Sequence, residues 1–176
     1  MLVHGYEEFT WAAPEHLARL ASRDAPWNYY LQTQVRFEAA ELSGTMRPLD
    51  RQGGGDLPPL GPLHVITAIQ PDSEPGSDEN TARMAVLDRE LHDTGIRSIR
   101  AVGSSFDGTH SEDSRAVFGL DDAQARALGL RFGQVAVFAW SGPRWSLLAC
   151  ATDRHVHRAW QWNPHSRPAG AARYSF

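Results

Sequence analysis

Seven polar residues in the middle of the chain are the set best suited to chemistry: Thr67, Gln70, Asn80, Arg83, Glu112, Ser114 and Gln134. Asn80 and Arg83 are three apart on a helical stretch and share a face. Glu112 and Ser114, two apart on an extended stretch, do the same. Thr67 and Gln70 end a predicted strand, and Asn80 and Arg83 open the helix that follows it. A helix N-terminus offers free N–H groups and a positive partial charge, so this corner could receive an anion. Arg83 would bind the anionic group, Asn80 and Gln70 would orient it, and Glu112 and Gln134 would close the other side. Within the set only Glu112 can act as an acid or base, with Asp113 as its one neighbouring carboxylate. The same side chains also suit an internal role, capping helices, satisfying turns and pairing Arg83 with Glu112.

Three further features carry weaker chemistry. If Asp153, His155 and His157 are extended, they point to one side, and with His165 beyond they form a candidate divalent-metal group. Against this stands a plain solvated tail. Trp160 and Trp162 alternate in a way that could stack bases or sugars or form a partner surface, although covering an open sheet face accounts for them better. Cys150 sits in an apolar strand with no activating neighbour and reads as an inert buried thiol.

The elements that must position these groups follow from periodicity. Pro14 opens a short helix bearing Leu17 and Leu20, and Asp24-Ala25-Pro26 stops it. Tyr29–Phe37 has apolar residues at even spacing and predicts a strand, and 46–62, with Gly53-Gly54-Gly55, predicts a loop. A strand over Leu63–Ile69 precedes a helix capped by Ser77 or Asp78, striped by Met84, Leu87 and Leu91, and ended at Gly95. Strands follow at Ile96–Val102 and Arg115–Leu120, with a turn over Gly103–Gly108 between them. Asp121, with Gln124 three residues on, caps a second helix. Gln134–Trp140 and Trp145–Ala151 are strands again. The order β-α-β-β-α-β predicts an α+β, ferredoxin-like core over about 63–140, with extra edge strands and a short N-terminal helix.

Composition bounds the whole. The 17 basic residues are all arginine, which excludes chemistry needing a Schiff-base or P-loop lysine. A formal net charge of −4 argues against a general nucleic-acid binder. A length of 176 residues and a hydrophobic fraction of 41% fit one domain spanning 1–176. No apolar run approaches the ~20 residues of a membrane helix. The opening MLVHGYEEFTW lacks the basic start and apolar stretch of a signal peptide, and a single cysteine fits a reducing compartment, so the expected location is cytoplasmic.

The run Thr67-Ala68-Ile69-Gln70-Pro71, then Glu79-Asn80 and Arg83 on a helix, then Glu112-Asp113-Ser114, then Phe132-Gly133-Gln134, resembles the bacterial family called domain of unknown function 3293. The likeness covers about 63–140. Where that family has Trp-Asn, this chain has Ile69-Gln70, which keeps an amide and removes an aromatic surface. The resemblance implies no reaction and leaves any cofactor open. The resulting expectation is a domain that binds a small polar or anionic ligand at the first strand–helix corner. The alternatives are an enzyme acting on a nucleotide or nucleic-acid end with Glu112 as acid/base, and a protein-interaction module using a sheet edge or Trp160 and Trp162.

Overall fold

The computed structural model describes residues 4–51 and 57–165. The glycine run of the predicted loop and the tail beyond His165 lie outside the described residues. Two short helices, α1 (Pro14–Ala21) and α2 (Asp24–Leu31), precede a hairpin of β1 (Thr33–Glu38) and β2 (Ser43–Leu49). Then come β3 (Leu63–Ile66), α3 (Asp78–Asp93), β4 (Ser98–Ser105), β5 (Ser111–Val117), α4 (Asp122–Arg131) and β6 (Ala136–Ser141). A second hairpin, β7 (Arg144–Ala149) and β8 (His155–Pro164), ends the described chain.

The strands form a closed barrel in the order β1-β2-β8-β7-β6-β3-β5-β4, antiparallel throughout, with β4 pairing back onto β1. This corrects the open ferredoxin-like sheet that the element order suggested. β6, β3, β5 and β4 are neighbours, but neither β6 nor β4 is an edge. β6 continues into β7, β4 continues into β1, and β2 meets β8 to shut the barrel. Closure satisfies the backbone groups that an open edge would leave unpaired.

Two segments account for the difference. Ser43–Leu49 runs into the stretch expected to be loop, and the Trp160/Trp162 segment, expected as a cover, is itself a strand paired with β2. At the other end, Asp24-Ala25-Pro26 opens α2 instead of ending the chain's helical run, because proline is tolerated in a first turn. Tyr29, Tyr30 and Leu31 are therefore helical and the strand begins at Thr33.

Strand alternation divides the core. Phe37, Met46, Val65, Trp140, Trp145 and Trp160 pack inside the barrel. On its outer face Met84, Leu87 and Leu91 of α3 and Ala125 of α4 pack with Val117, Val137 and Leu148. Leu17, Leu20 and Trp27 of the α1–α2 pair pack on Val135, Leu147 and Ala149. The predicted caps form: Ser77 Oγ accepts from Asn80 N at 3.2 Å, Asp121 and Gln124 make a reciprocal capping box, and Gly95 takes φ +73° after α3. Among the described residues no helix is long and apolar enough to cross a membrane.

Candidate binding site

One half of the barrel interior is filled by aromatic side chains, and the other half opens into a cavity of about 700 Å³. It lies where α2 meets the β4–β5 hairpin. Alternate strand residues supply its walls: Thr33 from β1, Val65 from β3, Gly103 and Ser105 from β4, Glu112 and Ser114 from β5, and Phe138 from β6. Tyr29 and Tyr30 of α2, with Phe106 and His110 of the hairpin, form the rim. Gly103 stands opposite Glu112 on one side and Val35 on the other. A Cβ placed there would meet only Thr33 Cγ2, at 3.5 Å. The glycine leaves room in front of Glu112 that no neighbouring side chain takes up.

Glu112 is half-buried, and its carboxylate has no hydrogen-bond partner among the described residues. Burial pushes this carboxyl above the usual glutamate range. Burial also raises the Tyr30 phenol, and the negative charge of Glu112 raises it further. At the rim, hydrogen bonds from Ser105 and Thr109 hold Asp107 down to about 2. Five cavity hydroxyls already donate within the protein, among them Thr109, which donates to Asp107 Oδ1 at 2.8 Å. Thr33 donates to the Tyr29 carbonyl at 2.8 Å and Thr67 to the Asp113 carbonyl at 2.8 Å. Ser105 donates to Asp107 Oδ1 at 2.7 Å and Ser114 to the Glu112 carbonyl at 3.4 Å.

The residues singled out in the sequence separate into two groups. Thr67, Glu112 and Ser114 line the cavity. Gln70, Asn80, Arg83 and Gln134 are buried together elsewhere, and their polar atoms are largely engaged. Gln70 Oε1 accepts from Ala12 N at 2.8 Å, and its Nε2 donates to the Ala68 and Phe132 carbonyls, each at 2.9 Å. Asn80 Oδ1 accepts from Gln70 N and Arg83 Nη1, while its Nδ2 reaches Ser73 and Glu74. Arg83 pairs with Glu79 at 3.1 Å, not with Glu112, donates to the Thr10 carbonyl, and lies 5.4 Å from the Phe9 ring centroid. Gln134 Nε2 donates to the Ile69 and Phe132 carbonyls. These four side chains tie the N-terminal segment and the Thr67–Asn80 loop to the barrel. Ile69 is buried in the outer core.

The histidine group is on β8. His155 and His157 have ring centroids 5.3 Å apart, but His157 Nδ1 is 2.6 Å from Ser146 Oγ and His155 Nδ1 is 2.9 Å from the Asp153 carbonyl. His165 meets Thr45 Oγ1 at 2.8 Å. Among the described residues no group of three histidine, cysteine or acidic side chains could hold a metal ion. Trp160 and Trp162 pack with the barrel interior around Trp140, and Cys150 is buried.

Tyr30, Thr33, Gly103, Phe106 and Phe138 are cavity residues that the motifs did not reveal. An isolated glycine in a strand was the available signal, but Gly103 reads as the start of a turn when β4 is ended too early. No curated protein and no solved structure matches the chain. A family model does: the one described as "Protein of unknown function (DUF3293)" matches residues 66–137, from the end of β3 through Glu112 to Gln134, and through that stretch the chain is similar to this family.

Proposed function

We propose that this chain is a small-molecule-binding barrel whose ligand enters past α2 and the β4–β5 hairpin and is held against Glu112. The observation that carries this reading is a half-buried carboxylate without a partner among the described residues, facing a cavity of about 700 Å³. Ligand pockets are typically ~300–1,000 Å³, mostly apolar with a few convergent polar groups, and this cavity has that character. Thr67 and Ser114 belong to the site. Gln70, Asn80, Arg83 and Gln134 hold the adjoining loop in place. The single buried cysteine supports a reducing, cytoplasmic setting.

A thermal-shift screen against amino acids, amines, nucleotides, sugar phosphates and divalent metals tests the reading. A ligand at a hundred times its Kd adds ~2.7 kcal/mol of stability. Ala136→Leu, which projects into the cavity, should remove the shift. Arg83→Ala should lower the melting temperature of the free protein yet leave the ligand shift intact. A shift that survives Ala136→Leu would place the ligand elsewhere.

A second reading is catalytic, with Glu112 as general acid or base. The raised Glu112 carboxyl beside the raised Tyr30 phenol favours it, since perturbed titrating groups gather at reactive sites. It predicts that Glu112→Gln abolishes turnover while binding remains. Action on a nucleotide or nucleic-acid end has less support, because no arginine is among the described cavity residues and Arg83 is engaged by Glu79. Partner binding through a sheet edge has least, because every described strand is paired on both sides.

A further inference from the structure

The cavity walls set the carboxylate of Glu112 among hydroxyl oxygens. The side-chain donors left uncommitted on the described walls are the Tyr29 and Tyr30 phenols, the Ser104 and Ser111 hydroxyls, the Gln32 amide and the His110 ring, none of them a permanent cation. Thr33, Thr67, Ser105 and Ser114 have each committed their hydroxyl proton to a protein acceptor, so Thr33 and Ser114 present lone pairs to an incoming molecule, while Thr67 and Ser105 also accept from Ile69 N and His110 N. Glu112 adds two acceptor oxygens, and Asp107 adds a fixed negative charge at the rim. No lysine exists in the chain, and no arginine lines the cavity among the described residues. The rim offers the faces of Tyr29, Tyr30 and Phe106. One of these already receives a cation from outside the cavity, since the Arg47 guanidinium lies 4.0 Å from the Phe106 ring centroid.

On the reading that the barrel mouth is a ligand site, we propose that its ligand is an organic cation, a protonated amine or an amidinium carried on an apolar ring. The charged head would donate to Glu112 and to the lone pairs of Ser114 and Thr33, and the ring would lie against Tyr30 and Phe138. Such a group supplies donors where the walls supply acceptors and neutralises a carboxylate without a partner among the described residues. Its positive charge is also held by the aromatic rim. A phosphorylated or carboxylate ligand would meet like charge from Glu112 and Asp107, offset on the described walls mainly by hydroxyl and amide donors.

Matched probe pairs separate the two levels of this inference. Phenethylamine is titrated against hydrocinnamate, and benzamidine against benzoate, by calorimetry on the full chain and on Glu112→Gln, Gly103→Leu and Ala136→Leu. Each cation should bind about tenfold or more tighter than its anionic partner, the gain expected from one charge-assisted contact. That preference should disappear in Glu112→Gln, and both cavity-filling variants should lose the cation. Two filling variants are used so that a fold defect in one, visible by circular dichroism, leaves the other to decide. If the anions bind as well as the cations and the filling variants remove both, the site stands and the cation assignment fails. If no probe binds, or binding ignores both filling variants, the site reading fails with it.

Discussion

The Oε1 atom of Gln70 occupies the space that a Cβ at Gly133 would need, and Gly133 itself has φ +70°. The Phe-Gly-Gln run after α4 is therefore a docking seat. Phe132 lends its carbonyl to both Gln70 and Gln134, and Gly133 lets the Gln70 amide pass over the backbone to Ala12 N.

Gly133→Ala should accordingly destabilise the protein by about 3 kcal/mol. It combines a left-handed backbone that alanine resists with the displacement of a buried, fully bonded amide. Urea denaturation measures the loss. A change within a few tenths of a kcal/mol would mean that the Gln70 seat is not as tight as the backbone geometry implies.

A second close approach reports on barrel closure. A Cβ at Gly44 of β2 would overlap the indole of Trp162 on β8, across the seam that shuts the sheet. Gly44→Ala should cost about 1–3 kcal/mol as an overpacked site. Trp162→Leu, which removes the obstructing ring, should make the same glycine substitution much cheaper. The double-mutant cycle should then show a coupling well outside the few tenths expected of independent sites. Strict additivity would separate β2 from β8.

These seams explain what the sequence could and could not disclose. Ser77, Asp121 with Gln124, and Gly95 mark helix ends through local hydrogen bonds and backbone angles, so a linear reading finds them. Closure has no local mark. β2 contains Gly44 and Pro48, and β8 mixes histidine, arginine and tryptophan, so neither shows the apolar alternation by which strands are recognised. Tyr29–Leu31 has strand-like composition but is helical because Asp24 and Pro26 begin a helix whose Trp27 is buried. Alternation does put Glu112 and Ser114 on one face. Only the closed barrel makes that face an interior. Arg83 reads in the sequence as available to an anion, yet Glu79, four residues earlier on the same helix, pairs with it.

Cys150 lies beneath α4, where Gly129 brings the helix backbone close to its Sγ. Burial pushes the thiol up to about 12, so almost no thiolate exists at pH 8, and thiolate is the form that reacts. Native protein should react with a disulfide-exchange reagent only as fast as it opens. The labelling rate should climb with denaturant in step with unfolding. Rapid labelling of the folded chain would mean that α4 does not cover this site.

Glu112 should make the free protein less stable at neutral pH than a neutral residue would. Its carboxyl is raised in the folded state by burial, so between the ordinary glutamate value and that raised value the folded form binds more protons than the unfolded form. In that window stability falls as pH rises. Glu112→Gln removes the effect. The variant should therefore be more stable than the parent at pH 7, and the difference should shrink to nothing as the pH drops below the unfolded glutamate range. The other titrating groups of the cavity do not imitate this. Hydrogen bonds hold Asp107 down to about 2, and Tyr30 is shifted upward away from neutrality. Paired denaturation curves across this pH range check the sign. A parent more stable than Glu112→Gln at pH 7 would show that the folded protein stabilises the ionised carboxylate, and that the cavity does not leave it unpartnered.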